Sequence, residues 1–425
     1  MKAFLTGNLT LPSMRMIRQL FNVPPKIDVS VEIDRQWGRI KDAMRSPDGK
    51  DIAVGVGSRG IANLAEAVRA VVAKLKEAGF KPFIIPAMGS HGGATGDGQI
   101  SVLEALGVTE KNVGVPVRAT MEVVSLGEVN GIPIFLDKLA HRAAGLVLIN
   151  RIKPHTDFAG PTQSGIIKMM AIGLGNQIGA EHYHRLSVVR NMYEIISNAG
   201  KAVMKRAKFL FGVGLVENQI HQTAVLRMML PDELEAKEIE LLEKARIYMP
   251  KLPVKEIDLL IIDKMGKDIS GAGIDPIVTG RTNCVFMVKR SWPSISRIFV
   301  RDLTEASEGN AIGIGQADVT SPRLVDKIDA EATAINCLTS CCPEDGKIPF
   351  AFQTDREAIA AALMTLRPYT LDDLRIVHIK STLELNNLLV SQGCRTYLEN
   401  ESEVYIEPEN IELEFDASGN LISLL

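Results

Sequence analysis

The sequence predicts an α/β fold of two domains, each with a mainly parallel sheet flanked by helices, and an active-site cleft between them. Three observations carry this reading. From residue 51 onward, short Val/Ile/Leu-rich runs alternate with amphipathic helical stretches, the pattern of βαβ units. Glycine-rich loops follow several of these runs, as expected where strands hand over to helices. The 425-residue length is long for one core and comfortable for two. The proline-punctuated stretch PKLPVKEID is the expected boundary, which gives domains over 1–252 and 253–400 and a tail over 401–425.

In chain order, the first fifty residues read as a lead-in of short strands, with PPKIDV and SPDGKD as turns. DIAVGV (51–56) is a strand, residues 61–79 are a helix ended by Gly79, and KPFIIPA is the next strand. This unit is expected to be a right-handed parallel crossover. The glycine loop MGSHGGATGDG, a helix around ISVLEALG and strand material in VVSLGEVNGIPIFLD follow. AAGLVLIN (143–150) is an apolar strand, 176–208 is mostly helical, and the strand FLFGVGLVEN closes the domain. After the helix PDELEAKEIELLEKARIYM, a second α/β unit opens with DLLIID and continues through NCVFMVKR, RIFVRDL and AIGIGQAD. The helix SPRLVDKIDAEATAINCLTS comes next, then KIPFAFQT, REAIAAALMTL and LRIVHIKS.

Composition narrows the function. Net charge is −3 and the basic residues are scattered, so neither nucleic acid nor an anionic membrane is an expected partner. The first residues lack the apolar core of a signal peptide and no run of 18 apolar residues occurs, which makes cytoplasm the default. The 5 cysteines are odd in number and form no C-x-x-C pair, which argues against a disulfide framework and a cysteine zinc site. CLTSCC reads as a buried apolar helix face.

In a parallel α/β sheet the loops at the carboxyl ends of the strands line the ligand crevice. Arg59, His91 and His155 each leave such a strand end in a glycine- or proline-rich loop, so all three are expected at one sheet edge. Residues 55–60, GVGSRG, fit the dinucleotide fingerprint and predict a tight βα turn. A nicotinamide site also needs an acid about twenty residues on; the next strand ends in IIPAMGSHGG, without one. An NAD-dependent oxidoreductase therefore stays as an alternative. Lys168, in GIIKMMAIG, has apolar neighbours that can lower its pKa and make it a nucleophile or an attachment point. His182 and His184 diverge by about 200° on a helix, so only one can ligate a given metal. Imidazole suits nickel, zinc, copper or iron.

GSHGG around His91, KPHTDFAGPTQSGIIK from Lys153 to Lys168, and a histidine sixteen residues beyond that lysine resemble the nickel-dependent lactate racemase family. The likeness covers roughly residues 50–190 well and the second domain loosely. It implies a nickel-pincer nucleotide attached covalently to Lys168, with nickel bound by His184 and His182 as the fallback. His91 and His155 would be the acid/base pair. Arg59 would engage an anionic group of substrate or cofactor, and Gly89, Ser90 and Gly92 would shape the cofactor loop.

The implied reaction is racemisation or epimerisation of a 2-hydroxy acid, one histidine taking the hydroxyl proton while hydride leaves C2 and returns on the other face. Cofactor-synthesis proteins are the implied partners, and a homo-oligomer is open. There are departures. VGSR replaces the family's aspartate-containing turn, the spacing from His155 to Lys168 is long, and SGAGIDPIVTGR follows GKDI where a Gln and a Lys are expected. Lys267, Asp268, Thr279 and Arg281 could serve a larger, hydroxyl-rich substrate, a sugar acid such as gluconate rather than lactate. A non-catalytic nickel-cofactor carrier is the remaining alternative.

Overall fold

The computed structural model describes residues 9–58, 60–285, 288–290, 292–399 and 403–425. The chain divides into two compact units, Val23–Met249 and Pro250–Leu425, the latter including the N-terminal residues up to Asn22. Each unit is α/β, with a mainly parallel sheet flanked by helices.

After strand β1 (Met14–Gln19), which belongs to the second unit, the chain forms helix α1 (Val29–Ala43). This helix corrects the expected lead-in of strands. Val29, Ile33, Trp37 and Ile40 are buried at helical spacing, and Asp28 caps the first turn through the Val31 N–H. Next come β2 (Asp51–Val56), α2 (Leu64–Glu77), β3 (Lys81–Pro86) and α3 (Gly96–Ala105). The hairpin β4 (Val123–Val129) and β5 (Ile132–Asp137) stands apart from the main sheet. Then follow β6 (Gly145–Arg151), the one-turn helix α4 (Ile166–Lys168), α5 (Asn176–Ser187), α6 (Met192–Arg206), β7 (Phe209–Glu217), β8 (Thr223–Met229) and α7 (Leu234–Tyr248). β7 does not close this sheet, because β8 adds antiparallel to it.

The sheet order is β3-β2-β6-β7-β8. Strand alternation gives it two apolar faces. Ala53, Ile85, Leu146 and Leu148 pack with Ile195, Ala199 and Leu241 on one side. Ile52, Val54, Ile84 and Val147 pack with Val29, Ile33, Val68 and Val71 on the other. The helix after β2 thus covers one face and the helix before β7 the other, so neighbouring β2 and β6 bracket a switch point. At such a point the loops leaving the strands part and open a crevice.

The second unit is an eight-stranded sheet, ordered β12-β11-β10-β9-β13-β14-β1-β15. Its core strands are β9 (Glu256–Met265), β10 (Ser294–Leu303) and β13 (Ile376–Ile379), which run parallel. The shorter strands are β11 (Val319–Thr320), β12 (Phe350–Ala351), β14 (Asn387–Ser391) and β15 (Val404–Ile406), with helices α8 (Ala330–Thr339) and α9 (Asp355–Leu363) alongside. The tail belongs to this unit. β1 pairs antiparallel with β14, and β15 pairs with β1. Ile411 bridges Met14, and Leu421 is buried in the same core. Both chain ends thus cover what would otherwise be an open sheet edge.

The cysteine reading is corrected as well. Cys284 and Cys342 form a disulfide with Cα atoms 5.4 Å apart across a sequence separation of 58. Within CLTSCC only Cys337 is a buried helical residue; Cys342 lies past the end of α8 and pairs across the fold. Among the described residues, no helix is long and apolar enough to cross a membrane.

Candidate active site

The loops leaving β2, β3 and β6 converge with the segment that carries Lys168. The β2 loop runs over 57–63 before α2 starts. That is longer than the tight turn expected of GVGSRG. Gly55 lies inside β2, where a Cβ would meet Leu148 at 2.5 Å, and a Cβ on Gly60 would meet nothing within 4 Å. The first and third glycines therefore do not do what a dinucleotide turn asks of them. Gly57 does sit at a close approach, 2.8 Å from Asn150 Oδ1 by the same construction. Arg59 lies outside the described residues. Glu217, at the end of β7, accepts the Ala62 N–H at 2.7 Å and pairs with Arg151.

The β3 loop holds His91. Gly89 and Gly92 adopt φ of +65° and +66°, and a Cβ on Gly92 would lie 2.5 Å from Gln99 N. Only glycine fits such a fold-back of the loop onto the start of α3. The buried Gln99 side chain donates to Gly89 O at 2.9 Å, and Gly89 N–H donates to Gly173 O at 3.1 Å. His91 is half-buried and its Nδ1 is hydrogen-bonded to Ser58 Oγ, which joins it to the β2 loop. Ser90 is half-buried in the same turn.

The β6 loop holds His155, which is 8% exposed. Gln163 Oε1 accepts its backbone N–H at 2.7 Å, and its ring stacks on Phe158 with centroids 4.3 Å apart. Nδ1 accepts the Asp157 N–H at 3.0 Å. A lone pair must face that donor, so in the neutral ring the proton sits on Nε2. This is a fixed, oriented imidazole.

Lys168 ends α4, and the π-turn Met169–Gly173 follows it. Asn150 Nδ2 donates to Gly165 O at 3.0 Å, tying this segment to the end of β6. His184, on α5, feels the charges of both Asp157 and Lys168. Burial, the larger influence, and the nearby Lys168 ammonium push its pKa down to about 4 against the opposing pull of Asp157. It is therefore neutral at pH 7, the form that ligates a metal. His182 lies on another side of the helix as its spacing requires, exposed, with Nδ1 3.0 Å from Ile178 O and its ring 5.2 Å from that of Phe135. Of the two, only His184 joins the cluster.

No protein-family model and no curated protein sequence matches this chain. Among solved structures it is similar to the lactate racemase apoprotein from Thermoanaerobacterium thermosaccharolyticum, at 16% sequence identity and a TM-score of 0.46, over 86% of this chain and 84% of that chain.

Among the described residues no three His, Cys, Asp or Glu side chains gather to hold a metal. His184 offers one neutral nitrogen beside a lysine able to tether a ligand that brings the other donors. The expected residues of the second unit divide. Lys267 and Asp268 follow the carboxyl end of β9, half-buried and exposed respectively. Lys267 Nζ donates to Gly271 O at 2.9 Å and Asn336 Oδ1 at 2.7 Å, and Asp268 accepts from Thr304 Oγ1 at 2.5 Å. Thr279 and Arg281 are also held within the fold. Thr279 is 0% exposed and bonds Asp275 O, while the Arg281 guanidinium is held by Asp318 and the carbonyls of Gln316, Ile295 and Ser296.

Ser58, Gln99, Asp157 and Asn150 were not singled out in the sequence. Ser58 and Asp157 lie within motifs quoted above, and their place next to the reactive residues was the available signal. Gln99 and Asn150 act from positions that no pattern marks.

Proposed function

We propose that this chain is a racemase or epimerase that inverts C2 of a 2-hydroxy acid with a nickel-pincer nucleotide bound at Lys168. The observation that carries the reading is one convergence. His91 and His155 leave the carboxyl ends of strands on either side of β2, their loops are joined to the Lys168 segment, and the charges of Asp157 and Lys168 reach His184. Inversion through a planar keto acid calls for a proton acceptor and a proton donor that exchange roles. His155 is oriented for this by Asp157 and Phe158, and His91 by Ser58. Lys168 is the tether in this reading and His184 the protein ligand to nickel. When bound, the group supplies a reversible acceptor for the C2 hydrogen.

A substrate deuterated at C2 tests the chemistry. Turnover by cofactor-loaded enzyme in ordinary water is expected to give inverted product that keeps its deuterium, because the hydrogen never exchanges with solvent. Product washed free of label would replace hydride return with proton abstraction at carbon.

A further inference from the structure

Glu238 lies on α7, 0% exposed, at a position where the buried stripe Leu234, Leu241, Leu242 and Ala245 calls for an apolar residue. A carboxyl group in such surroundings is destabilising unless its hydrogen bonds compensate. Its bonds go to one place. Oε2 accepts the N–H groups of Ile166 at 2.8 Å and Ile167 at 3.2 Å, the opening N–H groups of the helix that ends in Lys168. Oε1 has no hydrogen-bond partner among the described residues. Gly165 is what lets the carboxyl group lie against the backbone, since a Cβ there would come within 2.5 Å of the Glu238 carboxyl carbon.

The same turn is held from two further directions. Asn150 Nδ2 donates to Gly165 O at 3.0 Å, and Gly200 of α6 packs so closely that its own Cβ would reach Ile167 O at 2.5 Å. A helix of this length has no stability of its own, so its direction is set by these supports. Of the three, Glu238 alone bonds the N–H groups at its start.

We propose that Glu238 is a positioning residue, a buried cap that fixes the first turn of α4 and so aims Lys168 toward His184. That Lys168 is the attachment point rests on the reading above; that Glu238 sets its geometry does not. Burial raises the Glu238 pKa to about 7, and its charged neighbour is Glu235 rather than Lys168. It thus acts on the lysine through the backbone.

The test is labelling of the apoprotein with succinic anhydride, scored lysine by lysine by mass spectrometry, in wild type, Glu238→Gln and Glu238→Leu. Glutamine keeps a carbonyl oxygen for the two N–H groups, and its Lys168 labelling should stay within about twofold of wild type. Leucine removes the cap, and Lys168 should label about 5- to 30-fold faster, the factor that a lost cap of one to two kcal/mol gives. Lys74, in α2, should be unchanged in both. If Glu238→Leu does not fold, Gly165→Ala displaces the carboxyl group while leaving the donors in place and should give the same selective rise. Unchanged Lys168 labelling in a folded Leu or Ala variant would reduce Glu238 to a packing residue. The outcome is independent of cofactor loading: absence of any adduct in wild type counts against the pincer reading alone.

Discussion

His155→Gln is expected to lower the rate of inversion by about 10²–10⁴-fold, the usual contribution of a positioned acid/base group. His91→Gln should do the same. The Asp157 N–H donates to Nδ1 of His155 and Ser58 is bonded to Nδ1 of His91, so the proposed mechanism assigns the proton transfer to Nε2 of each ring. The two variants should also differ in an informative way. Each should still remove and return the C2 hydrogen of one hand of the substrate, because the remaining histidine serves that hand, while inversion is blocked at the second proton transfer. Chiral chromatography of product, beside exchange between labelled substrate and its keto acid, separates these steps. Inversion at more than half the wild-type rate in either variant would remove that histidine from the mechanism.

The largest effect on stability is expected in the second unit. Asp355 is 0% exposed, and its carboxylate holds Arg301 Nε at 2.9 Å, Arg323 at 3.2 Å and the Leu421 N–H at 3.0 Å. Arg301 in turn pairs with Asp263, which binds His378 Nε2 at 2.8 Å and Ser423 Oγ. Removing Asp355 leaves the buried Arg301 with one carboxylate instead of two and the Leu421 N–H without its acceptor, so Asp355→Ala should cost about 3–5 kcal/mol and loosen the tail at Leu421. Urea unfolding of the variant measures this, and a loss below about 1 kcal/mol would show the network relaxing around the gap.

Acid should weaken the same network. Burial raises the pKa of Asp263, but the His378 hydrogen bond and the His378 and Arg301 charges outweigh it and hold the group at about 2. The folded pKa lies below the unfolded value. The stabilisation is therefore present above about pH 4 and is lost as pH falls toward 2.

Much of the first unit was legible because its signals are local. The alternation of DIAVGV and KPFIIP with an amphipathic helix gives parallel strands, and the carboxyl-end rule then brings His91 and His155 to one edge. The helical turn angle alone put His182 and His184 on different sides of one helix. What the sequence hid was long-range. The pairing of β1 with β14 joins residues far apart in the chain, and no local pattern announces it. The Cys284–Cys342 disulfide is hidden in the same way. α1 was legible and missed, since Val29, Ile33, Trp37 and Ile40 follow the helical period. GVGSRG misled because a glycine triplet does not report whether its first member sits in the strand or the turn.

The central claim is that Lys168 carries the reactive group, and one measurement tests it directly. Intact mass and nickel content are determined on protein from cells that co-express a pincer-synthesis pathway, beside Lys168→Ala prepared in the same way. The account predicts a covalent mass increment with near-stoichiometric nickel in wild type, both absent from the variant. An unmodified mass without nickel, from cells in which an authentic lactate racemase is loaded, would contradict it.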